Sequence, residues 1–204
     1  MELNLKGRLA IVTGNSKGIG LAISEALREE GVRVADVSRT NGYNLMEDGV
    51  DKVIEMFRSY PHFDILVNNV GGMGNCREED WEECMKKNYG IMVRMTHNFL
   101  KQEKDWGRVI TISSIYGKEK GINPYFTASK ASQIAYMKSM AGTVKGTTFN
   151  TICPGEIDVG KVKREDHFGN PEDVANLVTF LCSPLASYIN GATITVDGGY
   201  SHSF

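Results

Sequence analysis

Two short stretches hold residue types that could do acid–base chemistry. "NPYFTASK" (123–130) sets Tyr125 and Phe126 ahead of Lys130, and "VITISSIYG" (109–117) ends an apolar run on Ser114 and Tyr116. A phenol near pKa 10 becomes useful near neutral pH only beside a cation, so a tyrosine and a lysine on one face make a proton-transfer pair. In a helix, positions i and i+4 share a face, whereas i and i+5 diverge by roughly 140°. Phe126 stands four places before Lys130 and Tyr125 five, so the ring that shares the lysine's face carries no proton.

A third stretch, "TGNSKGIG" (13–20), joins an apolar run to an amphipathic one. Gly14 permits a tight turn, Gly18 lets the backbone approach a ligand, and Gly20 allows close helix–strand packing. The N–H groups of Asn15, Ser16, Lys17 and Ile19 then line a helix start suited to a pyrophosphate. Within a first β–turn–α unit, such a turn points to dinucleotide binding rather than to a plain turn.

The elements that must position these groups follow from the alternation of short apolar runs and longer amphipathic stretches. "RLAIVTG" (8–14), "VRVADVS" (32–38), "FDILVNN" (63–69), "RVITISS" (108–114), "TTFNTICPG" (147–155) and "GATITVDGG" (191–199) read as strands. Helical spacing fills 18–31, 49–60, 77–102, 127–142 and 171–182, with Gly31 as a stop signal and Pro171 as a start. Strands apolar on both faces and alternating with helices predict an α/β fold: one Rossmann-like domain with a doubly wound parallel sheet across residues 1–204.

The bulk properties exclude several function classes. A formal net charge of -2 gives no general attraction to nucleic acid or an anionic membrane, so neither is expected as a partner. No apolar run approaches the roughly 20 residues of a membrane span, and the N-terminus enters structure too soon for a signal peptide. Cys76, Cys84, Cys153 and Cys182 lack C-x-x-C spacing and the four His are dispersed, so no metal site is expected. The cysteines read as thiols of a reducing compartment, and the expected location is cytoplasmic.

The turn's spacing, T-G-x-x-x-G-x-G, resembles that of the short-chain dehydrogenase/reductase family. Other segments follow in that family's order from about Leu5 to Tyr200. "DILVNNVG" (64–71) resembles its N-N-A-G strand with Val70 replacing Ala, "KKNYG" (86–90) supplies Asn88, and Ser114 falls in the catalytic serine slot. "NTICPGEI" (150–157) and "NGATITVDGG" (190–199) resemble its C-terminal signatures. The resemblance implies an oxidoreductase that interconverts a carbonyl and an alcohol on a small molecule with a nicotinamide cofactor. Gly14, Gly18, Gly20, Asn69, Val70, Gly71, Pro154, Gly155 and Ile157 would then border that cofactor, and Asn44 the adenine ring.

In that family a tyrosine hydroxyl transfers the proton, and a lysine four places on lowers its pKa and holds the nicotinamide ribose. The serine orients the carbonyl, and the asparagine supports a water chain. Lys130, Ser114 and Asn88 carry over, but the tyrosine slot holds Phe126. Three readings stay open: an inactivated chain, Tyr125 turned inward by a one-residue bulge, or Tyr116 reaching across from the serine loop. A non-catalytic NADP(H)-binding sensor or pseudoenzyme is the alternative from another class.

Cofactor type turns on the second strand's end, where an acid would bind a ribose 2′-OH and a base a 2′-phosphate. That place falls on Ser38 and Arg39, which favours NADP(H) and leaves NAD(H) possible. Asp36, the rival, lies two residues too early.

Two shortenings are expected. "TNGYNL" leads from Arg39 almost directly to "MEDGVDKVIEMF", so the family's usual helix between its second and third strands is expected to be absent. The substrate-covering loop shrinks to a short lid around 156–170. Lys161, Lys163 and Arg164 on that lid read as a solvated charged loop that could also draw an anionic substrate. "GGMG" (71–74) is either a mobile wall or a plain loop. Broad apolar faces on the helices around 79–102 and from Phe126 imply, with the resemblance, a homotetramer or homodimer.

Overall fold

A computed structural model describes residues 2–74, 76–160 and 168–203. Among them, six strands form one parallel sheet: β1 (Leu9–Thr13), β2 (Arg33–Val37), β3 (Ile65–Asn68), β4 (Gly107–Ile112), β5 (Thr147–Pro154) and β6 (Thr193–Val196), in the order β2-β1-β3-β4-β5-β6. Register runs Val12 against Asp36 and Val67, then Val67 against Ile110 and Ile110 against Asn150. Each strand matches a predicted one within a residue or two at most ends. Central parallel strands are covered on both sides, so β3, β4 and β5 are buried at every position.

The helices are α1 (Gly18–Glu29), α2 (Gly49–Ser59), α3 (Trp81–Met85), α4 (Ile91–Leu100), α5 (Pro124–Met140) and α6 (Pro171–Cys182). One face of the sheet meets α1 and α6 around Ile23, Leu27, Val174 and Val178. The other meets α2, α4 and α5 around Val53, Phe57, Met95, Phe99 and Met137. Much of the apolar face predicted for the long helix (Ile91, Met92, Met95, Phe99) is therefore core of this chain. Between β2 and β3 the chain makes a 3-10 turn, Arg39–Asn41, and then α2, so a helix does stand between the second and third strands of this sheet, where none was expected beyond the spacing over 49–60.

Two expectations need correction. The chain's cysteines are not all thiols: Cys76 and Cys84 form a disulfide, while Cys153 and Cys182 are free and buried. The chain brings the Cys76 and Cys84 Cα atoms to 5.0 Å, inside the range a bridge requires, although nothing in a spacing of eight residues announces it. The helix bearing Lys130 also starts earlier than 127, at Pro124. Asn123 caps it by accepting the Phe126 N–H at 2.9 Å, and proline suits the first turn because that turn's N–H has no helical partner. Among the described residues no helix is long and apolar enough to cross a membrane, and no cluster of His, Cys, Asp and Glu could hold a metal.

Candidate active site

The carboxyl ends of β1, β2, β3 and β4 open into one cleft of about 480 Å³, at the point where strand order reverses about β1. Its floor is the glycine turn. Gly14 sits at φ +71, which favours glycine, and its N–H donates to the Val37 carbonyl at 2.7 Å. A Cβ on Gly20 would lie 2.4 Å from the Gly14 carbonyl oxygen and 2.5 Å from Asn69 Nδ2, so no larger residue fits the α1–β1 contact.

Asn69 and Thr13 clasp the turn to β3. Asn69 Nδ2 donates to the carbonyls of Thr13 (2.9 Å) and Gly14 (3.2 Å), and Thr13 Oγ1 accepts from the N–H groups of Asn69 (2.9 Å) and Val70 (3.2 Å). Lys17 caps α1 without a side-chain bond, and no acid sits in the first turn. The helix's leading N–H groups therefore keep their partial positive charge toward the cleft.

Ser16, Lys17, Gly18 and Ile19 line this end with Gly14 and Gly20, and Ser38, Arg39 and Asn44 continue the lining. Asn15 does not line it: its amide turns inward to Ser24 Oγ and Asp36. Asp36, the rival for a ribose, also accepts Arg28 at 2.5 Å and is thereby committed. Arg39 is exposed and makes no ion pair among the described residues.

At the other end, Asn69, Val70 and Gly71 meet Ser114, Phe126 and Lys130. Lys130 is buried, and its ammonium donates to the Ile112 carbonyl at 3.0 Å, with no second acceptor among the described residues. Burial holds its pKa down at about 8, with the Lys87 charge adding to the effect. Its Nζ stands 5.7 Å from the centroid of the Phe126 ring. Ser114 Oγ accepts the Tyr116 N–H at 3.2 Å.

Neither candidate substitute for the missing hydroxyl lines the cleft. The helix over Tyr125 is regular, and Tyr125 packs half-buried beside Phe126, Cys76 and Cys84. Tyr116 donates to Glu156 at 3.2 Å, and burial together with that carboxylate holds its phenol above the ordinary range. The one-residue helical insertion does occur, but at Lys86–Gly90, a π turn between α3 and α4 centred on Asn88. Asn88 is fully buried beside the cleft: Oδ1 accepts the Gly72 N–H at 2.8 Å, and Nδ2 donates to the Cys84 carbonyl at 3.0 Å.

Pro154, Gly155 and Ile157 lie just past the cleft at the end of β5, where Gly155 packs on Asp197 and Ile157 bridges Gly169. That bridge ties together the two described ends of the segment 156–170. Lys161, Lys163 and Arg164 fall outside the described residues. Val159 supplies an apolar edge.

Sequence reasoning missed Tyr43, Leu45, Met46 and Lys87 as lining residues. Lys87 follows Lys86 at the π turn and is half-buried, with a pKa lowered by burial and then by Arg39. With Lys17, Arg39 and Lys130 it makes four cations in a cleft that no carboxylate lines among the described residues. The arrangement fits an elongated anion with phosphates at the helix start and a polar group against Lys130.

Comparisons with known proteins agree. The family model described as enoyl-(acyl carrier protein) reductase matches residues 45–201. The 3-oxoacyl-(acyl-carrier-protein) reductase FabG of Aquifex aeolicus is 32% identical over 250 aligned positions, covering 98% of this chain and 99% of the relative. The enzyme of that name from Escherichia coli is 31% identical over 240, covering 97% and 98%. Both alignments exceed the 204 residues available here, so this chain lacks segments that those relatives have.

Among solved structures, a candidate NAD(P)-dependent gluconate 5-dehydrogenase from Beutenbergia cavernae, with NADP bound at low occupancy, superposes with a TM-score of 0.89. It is 26% identical and covers 98% of this chain and 99% of that one. Fold, cleft and relatives converge: the chain belongs to the short-chain dehydrogenase/reductase family, whose members are NAD(P)-dependent oxidoreductases.

Proposed function

We propose that this chain binds NADP(H) in the cleft and interconverts a small-molecule carbonyl and alcohol, with its proton-transfer step impaired by Phe126. The observation that carries the reading is the ring in the cleft, 5.7 Å from the Lys130 ammonium, where a hydroxyl is needed. The cradle fits the cofactor: the leading N–H groups of α1 carry no side-chain cap, and four cations and no carboxylate line the cleft among the described residues.

The first-turn amides and Lys17 hold the diphosphate, and Arg39 pairs with a 2′-phosphate. Lys130, tied to the Ile112 carbonyl, offers its remaining N–H groups to the nicotinamide ribose. When bound, the nicotinamide gives or takes the hydride. Ser114 Oγ orients the carbonyl oxygen, and no phenol lies behind it to share a proton. Asn88 holds the Gly72 wall rather than facing the substrate. Location in the cytoplasm and self-association as a homotetramer or homodimer belong to the same proposal.

The test is Phe126→Tyr, assayed by NADPH oxidation on a ketone panel. The panel begins with 3-oxoacyl thioesters and keto-sugar acids, the classes for which the relatives are named. Restoring a general acid should raise turnover about 10²–10⁴-fold. No gain over the parent counts against impairment. A second reading, a non-catalytic NADP(H) sensor, is favoured by the same missing hydroxyl. It expects saturable NADPH binding with no turnover in either protein.

A further inference from the structure

Cys76 and Cys84 stand beside the chemical end of the cleft but outside its lining. The pair is 3% and 2% exposed and forms a small cluster of its own with Phe126, Tyr116 and Tyr125. Apolar packing does not require the bond, since Cys153 and Cys182 are as well buried and remain thiols. The bond instead joins the backbone that seats the two ends of the chemical corner.

One link runs through Asn88. Its Nδ2 donates to the Cys84 carbonyl at 3.0 Å and lies 3.5 Å from the Cys84 sulfur, while its Oδ1 holds the Gly72 N–H. The other runs through Asn123, whose Nδ2 donates to the Cys76 carbonyl. Its Oδ1 accepts the Phe126 N–H at 2.9 Å, capping the helix that carries Phe126 and Lys130. Cys76 and Cys84 thus hold one asparagine each, and each asparagine holds one wall of the cleft.

We propose that Cys76–Cys84 is a redox modification site, exchanged by small dithiols, whose state fixes or releases the Gly72 wall and the start of α5. A dithiol's thiolate attacks one sulfur, forming a mixed disulfide and expelling the other cysteine as a thiolate that takes a proton. The reagent's second thiol then closes its own disulfide and releases the remaining cysteine. Two electrons pass from reagent to protein. Access requires the covering turn to open, and its exposed residues Met73, Gly74 and Arg77 have little packing to lose. Once separate, two sulfurs need more room than a bonded pair. Their neighbours Asn88 and Phe126 are buried, so the Gly72 turn and the Asn123 cap must give. The bond and its links stand apart from the proposed activity. Only the effect on turnover rests on that reading.

The experiment equilibrates the full chain in graded ratios of oxidised and reduced dithiothreitol, then denatures, alkylates and reads peptide masses. In oxidising buffer Cys153 and Cys182 should alkylate while Cys76 and Cys84 do not, and in reducing buffer all four should. Amide hydrogen exchange at Gly72 and Phe126 should quicken tenfold or more on reduction. Cys76→Ser/Cys84→Ser should show the fast exchange in every buffer, and if it does not fold, the reduction arm on the parent chain decides alone. Full alkylation of Cys76 and Cys84 in oxidising buffer overturns the proposal, and so does exchange that is equal in the two states. NADPH titration runs alongside. Absent binding with redox-dependent exchange sinks the proposed function and leaves this inference standing.

Discussion

The two ends of the cleft are built from different materials. The nucleotide end is mostly backbone: the Gly14 turn, the leading amides of α1, and carbonyls clasped by Asn69. The chemical end is mostly side chains: Ser114 just past β4, and Phe126 and Lys130 together on α5, with Asn88 and Asn123 setting their walls. A backbone site fails only if the fold fails or a side chain intrudes. A side-chain site can lose its chemistry through one missing oxygen while every neighbour stays in place, and Phe126 is that case.

The sharpest way to break this contrast is to intrude on the backbone end. Gly20→Ala sets a methyl 2.4 Å from the Gly14 oxygen, which is backbone and cannot step aside. NADPH affinity, read by fluorescence titration, should fall about 100-fold, or roughly 2.8 kcal/mol. Phe126→Leu, at the other end, should leave affinity within about threefold, since phosphate contacts carry most of the binding. Equal losses in the two variants would abolish the distinction.

Arg39→Ala tests the one side chain on which the nucleotide end depends for selectivity. Losing a charge-assisted bond worth about 1.5–3 kcal/mol should weaken NADPH roughly 10–100-fold and leave NADH unchanged. If NADH weakens in parallel, Arg39 serves the adenine and not a 2′-phosphate.

Legibility from sequence follows the same division. The central strands β3, β4 and β5 are readable because buried parallel strands must be apolar on both faces. The glycine turn is readable because steric need fixes residue type. Side-chain commitments are not: Asp36 looks free until Arg28 and Asn15 are seen to claim it, and Asn15 looks like a ligand until it turns inward. The π turn at Lys86–Gly90 shifts helical phase by one residue, so a 3.6-residue count cannot place Lys87 in the cleft. Cys76 and Cys84 meet beside the point where the Gly72 N–H reaches Asn88, a contact with no local signature.

Thr13→Val probes the seam between the two ends with a smaller effect. The buried hydroxyl accepts two amides of the β3 exit, and leaving them unpaired costs about 1–3 kcal/mol. For a chain of this size each kcal/mol moves Tm by about 2–4 °C, so calorimetry should show a drop of several degrees. An unchanged Tm would mean that Asn69 alone holds the seam.

The gentlest probe is pH, because Lys130 is the one buried charge at the chemical end among the described residues. Its folded pKa of about 8 lies below the ordinary 10.5. Between those values the unfolded chain keeps a proton that the folded chain has shed. The Lys130 contribution to stability therefore rises with pH from about 8 to 10.5, opposed above pH 9 by the Cys153 and Cys182 thiols, which burial pushes up to about 11 and about 12. Below pH 8 the full cost of burying the cation is present. Lys104, held near 7 by burial, adds a rise of the same sign that begins earlier, so Lys104→Met must serve as the background. Affinity should run the other way: as Lys130 loses its charge above pH 8, NADPH should weaken, by less than about tenfold because the bound anion favours the protonated form. Lys130→Met should flatten both curves. If stability and affinity instead rise together in the parent, the Lys130 charge is not facing the cofactor, and the chemical end must be anchored by something else.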